Sequence, residues 1–178
     1  MRKDYEIILN LIPENSKVLD IGCSDGELIT YLENKGISAQ GVELNQEKVI
    51  KCLEKGLDVI HGDINLIVED FPFNQFDYCL LTQTIQAVQE PDQLLNTLKK
   101  VSKNIIVSFN NSARLSKISN FLLTGSFDSL LKKANSDHWY NTDYIHPCSI
   151  KDFKKLATDL DLKIISTFDV LSQKKFEN

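Results

Sequence analysis

The amino-acid sequence predicts an α/β fold in which helices cover both faces of a mostly parallel, doubly wound sheet. Short apolar runs rich in β-formers alternate along the chain with segments whose apolar residues recur at helical spacing. One run, residues 76–82, is predominantly apolar, which is typical of a strand buried on both faces of a parallel sheet. These two observations together predict parallel strands joined by crossover helices.

The first half of the chain has the pattern of three such strands. Tyr5, Ile8, Leu9 and Ile12 predict a helix that ends before Pro13. The other elements predicted here are strands over residues 17–21, 38–44 and 58–61, a tight turn over 22–26, a helix from that turn to residue 32, and a helix capped by Asn45.

The second half continues the alternation. A strand over residues 76–82 is followed by a helix that begins at Pro91, since proline is favoured in a first helical turn. The remaining predicted elements are a strand over residues 104–109, a helical stretch over 115–122, a helix over 150–160 and a last strand over 162–168. Because no internal repeat or linker divides the chain, we expect one domain over residues 1–178.

Composition excludes several classes of function. The net charge of −5 disfavours a nucleic-acid or anionic-membrane surface. No apolar run approaches the roughly 20 residues that span a bilayer, and residues 1–4 lead into an amphipathic helix instead of a signal region. The four cysteines have no metal-ligand spacing. We therefore expect a cytoplasmic protein with reduced thiols and no bound metal.

The most informative segment is VLDIGCSDG, at residues 18–26. It predicts a strand that runs into glycines and then into a helix. Glycine allows a sharp turn and the close approach of a ligand, and the unpaired N–H groups of the helix start suit an anionic group. A phosphate, a dinucleotide or an amino-acid carboxylate all fit this description, so the spacing of the glycines must discriminate between them.

That spacing favours S-adenosylmethionine (SAM). A dinucleotide fingerprint needs glycine at its first, third and sixth positions, where this chain has Gly22, Ser24 and Glu27, and no Gly-Lys-Ser/Thr follows for a P-loop. The pattern that remains is an acid, a spacer, Gly22 and then Gly26. It is typical of the Rossmann-like class I SAM-dependent methyltransferase fold, in which this loop wraps the methionine part of SAM. A nicotinamide cofactor is disfavoured by the same spacing.

Acidic residues follow three successive predicted strands. Asp20 can attract the ammonium and sulfonium end of the cofactor, and Glu43 can accept both ribose hydroxyls. Asp63 can accept from the adenine amine, although a helix cap or a surface charge explains that residue equally well. Because the carboxyl ends of parallel strands share one edge of the sheet, we expect these side chains to line one pocket for SAM or S-adenosylhomocysteine (SAH).

Beyond this loop, the chain resembles the MetW family of methionine biosynthesis proteins. The resemblance covers nearly the whole chain. The segments that carry it are VLDIGC at 18–23, FDY at 76–78, TQTIQAV at 82–88, WYNT at 139–142, IH at 145–146 and DF at 152–153. It implies a SAM-binding fold that serves methionine synthesis alongside a homoserine O-acyltransferase, with methyl transfer not established.

The resemblance also implies a set of pocket residues. Those carried over are Asp20, Gly22, Cys23, Gly26, Glu43, Asp63 and Gln83, and we expect their neighbours Ser24, Leu44 and Ile64 to join them. Ser24 departs from the family because a glycine is usual there. The segments FNN at 109–111 and DY at 143–144 also depart, on the side where a substrate or partner is expected.

No motif identifies a catalytic group. Neither an Asn/Asp-Pro-Pro-aromatic motif nor a Pro-Cys nucleophile follows the fourth strand. Tyr140 and His146 are the candidates, since a histidine can act as a base and an aromatic face attracts a sulfonium. Tyr140 and His146 could equally belong to a lid over the pocket or to a surface that binds a partner. Two functions stay open, a SAM-responsive accessory protein and a stand-alone methyltransferase acting on a small molecule.

Overall fold

The computed structural model describes residues 1–128, 144–172 and 174–176. Its centre is a parallel sheet of five strands in the order β3-β2-β1-β4-β5. The strands are β1 Lys17–Ile21, β2 Ser38–Glu43, β3 Val59–His61, β4 Phe76–Thr82 and β5 Ser102–Ser108. The chain order reverses between β1 and β4, which register Asp20 opposite Leu80. This doubly wound parallel sheet confirms the predicted fold class.

Helices lie on both faces of the sheet. The helices of the described residues are α1 Lys3–Leu11, α2 Glu27–Asn34, α3 Gln46–Glu54, α4 Ile64–Ile67 with a 3₁₀ turn at Val68–Asp70, α5 Pro91–Val101, α6 Leu115–Thr124 and α7 Ile150–Asp159, and all but α6 contribute residues to the two cores. The first three pack on one face, where Tyr5, Leu28 and Leu32 meet Val18 and Leu80. On the other face, helices α4, α5 and α7 cover Leu19, Ile21, Cys79 and Leu81. Alternate residues of each strand therefore enter different cores.

The prediction of a last strand over 162–168 is wrong. Residues 162–166 pair with no strand in the described part of the chain. A short strand, β6 Thr167–Asp169, pairs antiparallel with β7 Lys174–Phe176 instead. Apolar residues in this run do pack, because Leu162 lies against the core, but a strand also needs a hydrogen-bonding partner, and β5 does not provide one here. The hairpin therefore forms a separate two-stranded sheet.

Smaller differences occur elsewhere. The short α4 was not predicted, because four residues show no helical period. The structure places the predicted strand at 104–109 two residues earlier at its start, and the predicted helical stretch at 115–122 extends to Thr124. None of the helices within 1–128 and 144–172 is long and apolar enough to cross a membrane.

Candidate ligand-binding site

The predicted site residues meet at the carboxyl edge of the sheet, where the strand order reverses. Gly22 follows β1, Glu43 ends β2, Asp63 follows β3 and Gln83 follows β4. Ligands of open α/β sheets bind at this kind of crevice. The structure thus brings the residues of the sequence prediction to one place, whereas their ligand stays a prediction.

The glycine loop has a backbone that few residues tolerate. Gly22, Ser24 and Gly26 have φ angles of 71°, 55° and 76°. A Cβ on Gly22 would lie 2.7 Å from Oγ1 of Thr84, a hydroxyl held in place by its 3.0 Å hydrogen bond to the Ile21 carbonyl. Glycine is therefore required at position 22 for both conformation and space.

Asp20 is the most unusual group at this edge. Its side chain is only 1% exposed, and its Oδ1 has no hydrogen-bond partner within the described part of the chain. Burial raises the pKa of this carboxyl from 3.8 to about 7, although the Arg2 guanidinium and the Thr82 hydroxyl partly oppose the shift. A buried, unpaired carboxylate oxygen is rare in a folded protein and indicates a position that a cationic or donor group of a ligand completes.

The pKa of Asp20 predicts how the stability of the free protein depends on pH. Because the folded-state pKa is about 7 and the unfolded value is 3.8, the folded state holds this proton more tightly. The stability that this provides is fully present below the unfolded pKa and is lost as the pH rises toward the folded one. The free energy of unfolding of wild type should therefore fall between pH 5 and pH 8, whereas that of Asp20→Asn, which cannot titrate, should not. The difference between the two should grow by on the order of 2 kcal/mol over this range, in favour of the variant. Urea unfolding measures this, and parallel pH profiles would contradict it.

Glu43 joins two loops of the site. Its Oε2 accepts from the Ser24 backbone N–H at 2.8 Å, and its Oε1 accepts from the Asn45 backbone N–H at 2.9 Å. The carboxylate is nearly buried and is thereby oriented from both sides. Each oxygen has a second lone pair, so the group can still accept one ligand hydroxyl on each oxygen. The departure at Ser24 does not weaken this contact, because it uses the backbone.

Asp63 caps a helix, which is one of the roles that the sequence left open. Its Oδ1 accepts from the backbone N–H and from Nδ2 of Asn65, both at 2.9 Å, so the residue caps α4. Leu44, which directly follows β2, is 66% exposed, whereas Ile64 is buried in the core. Leu44 is therefore accessible to a ligand, Asp63 is half-buried, and Ile64 belongs to the core.

Gln83 and its neighbours connect the site to the later part of the chain. Gln83 has a φ of 59°, and its Oε1 accepts from the Tyr144 hydroxyl at 3.4 Å. Gln86 is 2% exposed. Its side-chain Nε2 donates to the His146 carbonyl, and its Oε1 accepts from the Asn110 backbone N–H. This structural role of Gln86 is not predicted by the sequence patterns above. The only signal was a glutamine within the family-specific segment 82–88.

The two catalytic candidates remain unassigned. Tyr140 lies outside the described residues. Nε2 of His146 lies 3.1 Å from the Gln89 carbonyl, so this nitrogen carries a proton when it bonds there. The described contacts of His146 are to residues 86 and 89, which accords with a structural role for the segment.

Three of the cysteines are buried. Burial raises the pKa of the thiols of Cys23, Cys52 and Cys79, to about 11 in the case of Cys79. A thiol with a raised pKa has little thiolate at neutral pH. Over residues 1–128 and 144–176, apart from residue 173, no group of three or more metal-ligating side chains is present.

A family model matches nearly the whole chain. That model, methionine biosynthesis protein MetW, matches residues 2–177. The chain belongs to the MetW family. The bifunctional methionine biosynthesis protein MetXA/MetW of Rhodopirellula baltica is 32% identical over 170 residues, which are 90% of this MetW-family chain and 27% of the relative. The chain therefore spans about a quarter of the length of that relative.

Solved structures share the MetW-family fold seen here. A SAM-dependent methyltransferase from Archaeoglobus fulgidus matches with a TM-score of 0.68 at 19% identity, over 93% of this chain and 73% of that one. The [4+2]-cyclase SpnF matches with a TM-score of 0.69 at 18% identity, over 96% of this chain and 60% of the cyclase. These matches confirm the predicted SAM-dependent methyltransferase fold.

Sequence reasoning did not find Arg2 and Thr82, which act on the Asp20 carboxyl. It also missed Asp4, which bonds Arg2, and Ser108, whose hydroxyl lies 3.5 Å from Asp4. Thr82 carried a weak signal, since it is a polar residue at the end of an apolar strand, two positions beyond Leu80 on the same face. The others carried none, because their proximity depends on where α1 packs.

Proposed function

We propose that the chain binds SAM or SAH at the carboxyl edge of the sheet. The observation that carries this proposal is the buried Asp20 carboxyl with its unpaired oxygen, beside a glycine loop that tolerates no side chain at position 22. An ammonium group of a ligand would donate to the unpaired Asp20 oxygen, and the glycine at position 22 would let the ligand lie close to the backbone of the loop. The SAM-dependent methyltransferase in the structural comparison supports the same ligand class.

The residues of the site fit the parts of such a ligand. Asp20 would accept from the ammonium group, and Glu43, which two backbone N–H groups already orient, would accept from the ribose hydroxyls. The exposed Leu44 side chain would cover the adenine ring, and Asp63 would accept from the adenine amine. Gly22, Cys23, Ser24, Gly26 and Gln83 would form the wall around the methionine part. When bound, SAM supplies an activated methyl group.

Equilibrium dialysis with labelled SAM tests this proposal. We expect saturable binding that unlabelled SAH displaces and that NAD leaves unchanged, because the loop has neither the glycine spacing of a dinucleotide site nor the Gly-Lys-Ser/Thr of a P-loop. Displacement by NAD would contradict the assignment of the ligand. Absence of binding would contradict the proposed site altogether.

We further propose an accessory role in methionine biosynthesis, exerted on a homoserine O-acyltransferase. The relative whose name joins MetXA to MetW supports this role, since fusion holds two cooperating domains together. The fold alone does not favour a methyltransferase, because a [4+2]-cyclase shares it. The alternative is a stand-alone methyltransferase acting on a small molecule. The rate of the acyltransferase, measured with and without this chain and SAH, distinguishes the two roles.

The helix α6 is the surface that we assign to this partner. None of its residues is buried, and Leu115, Leu122 and Leu123 are 80%, 76% and 86% exposed. A group of exposed leucines of this kind is typical of a protein–protein contact. Because the name of the relative joins MetXA to MetW, the homoserine O-acyltransferase expected from the family resemblance is the occupant that we propose.

The double variant Leu122→Lys/Leu123→Lys tests this surface. Two charges at an apolar interface are expected to weaken binding of the acyltransferase at least tenfold, with SAH binding unchanged. Phe73→Lys is the matched control, since Phe73 is 77% exposed on the loop before β4. Analytical ultracentrifugation of the mixed proteins measures the complex. Equal weakening by the control, or none by the double variant, would contradict the assignment.

A further inference from the structure

The start of α1 forms a charged cluster beside Asp20. Arg2 Nε donates to Asp4 Oδ1 at 3.0 Å, its Nη2 bonds the other oxygen of Asp4, and its Nη1 donates to the Tyr5 hydroxyl at 3.0 Å. Asp4 is nearly buried, and its Oδ2 lies 3.5 Å from the Ser108 hydroxyl at the end of β5. The cluster therefore lies over the same edge of the sheet as the glycine loop.

Arg2 is held in place and still has donors for a ligand. Its guanidinium carbon lies 4.4 Å from the centroid of the Tyr5 ring, and its forked bond to Asp4 fixes its plane. A guanidinium has five N–H donors. The bonds to Asp4 use one donor on Nε and one on Nη2, and the bond to Tyr5 uses one on Nη1. Nη1 and Nη2 each retain a second N–H for which the described residues show no acceptor. The side chain is 39% exposed, so a ligand can reach it.

Asp20 and Arg2 have opposite charges and interact through space at the same edge of the sheet, with no hydrogen bond between them among the described contacts. Among the groups that act on the Asp20 carboxyl, the Arg2 guanidinium is the principal one that favours its ionised form. Arg2 nevertheless bonds Asp4, and Oδ1 of Asp20 stays without a partner among the described residues. A buried acceptor and a cationic donor fork at one edge of the sheet match the two charges of an α-amino acid, its ammonium and its carboxylate.

We propose that Arg2 binds the carboxylate of the ligand's amino-acid end while Asp20 binds the ammonium, so that the site selects adenosyl ligands with an intact amino acid. This inference rests on the proposed adenosyl ligand and adds a residue that determines specificity. Tyr5 and Asp4 are positioning residues, because they orient the guanidinium without contacting the ligand. Loss of Arg2 should therefore affect only ligands that carry the carboxylate.

The experiment compares SAH with 5′-methylthioadenosine, which has the same nucleoside and thioether but no amino acid. We expect Arg2→Gln to weaken SAH at least tenfold and to leave 5′-methylthioadenosine within twofold, both by calorimetry. Lys3→Gln is the matched control, since Lys3 is an exposed cation one residue away, and it should change neither affinity. A thermal melt of each variant reports whether α1 remains folded.

The outcomes separate this inference from the proposed function. If wild type binds both ligands and Arg2→Gln weakens both equally, or weakens neither, the inference is overturned and the adenosyl site stands. If wild type binds neither ligand, the proposed function fails and the inference fails with it. Only selective loss of SAH supports Arg2 as the carboxylate ligand.

Discussion

Replacing Gly22 with alanine is expected to lower SAH affinity at least a hundredfold and to cost about 2–4 kcal/mol of unfolding free energy. The positive φ of 71° costs about 1 kcal/mol for a residue with a Cβ. The added methyl would lie 2.7 Å and 2.9 Å from side-chain atoms of Thr84, and relieving such a contact costs about 1–3 kcal/mol. Thr84 cannot move freely because it bonds the Ile21 carbonyl, so the loop must shift instead.

Gly36→Ala is the matched control for this prediction. Gly36 has nearly the same φ, 74°, but a Cβ there would meet no atom within 4 Å. It should therefore lose only the conformational term, about 1 kcal/mol, and retain full SAH affinity. Urea unfolding and titration calorimetry on both variants measure the two effects. Equal losses in the two variants would show that close packing at Gly22 is unimportant.

Glu43→Ala is expected to lower SAH affinity about tenfold to a hundredfold. The variant removes the acceptor that the ribose would use, and a charge-assisted hydrogen bond of this kind is worth about 1.5–3 kcal/mol. It also leaves the N–H groups of Ser24 and Asn45 without their acceptor. The loss of stability should be about 1–3 kcal/mol, because the loops can partly rehydrate.

Glu54→Ala serves as the control for the loss of a carboxylate. Glu54 is exposed at the end of α3, away from the sheet edge, and its replacement should change neither stability nor affinity by more than about 0.5 kcal/mol. Calorimetry with SAH compares the two variants. Unchanged affinity in Glu43→Ala would remove this residue from the site, even if Asp20 were retained.

Much of the fold follows from local patterns in the sequence. The apolar spacing of α1 and the acid-glycine pattern after β1 depend on neighbours a few residues apart, so periodicity and turn chemistry predict them. The predicted strand over 162–168 failed because pairing is not local. Leu162 is apolar enough for a strand, but its segment needed a partner edge that the sequence cannot specify.

The residues of the candidate site also fall into those that local sequence patterns predict and those that depend on tertiary packing. Asp20, Gly22 and Glu43 were found because each has a fixed position relative to a strand end. Arg2 and Asp4 were missed, since their place beside Asp20 depends on how α1 packs across a sequence separation of more than ten residues. Gln86 was recognised only as part of a family-specific segment, and its role as a bridge to the segment near His146 depends on tertiary contacts.

The location of the ligand is tested most directly by a crystal structure of the protein grown with saturating SAH. We predict density for SAH at the carboxyl ends of β1 and β2, with its ammonium within hydrogen-bond distance of Asp20 Oδ1 and its ribose hydroxyls on Glu43. Density for SAH at any other place, with the Asp20 oxygen still unpaired, would contradict the proposed site.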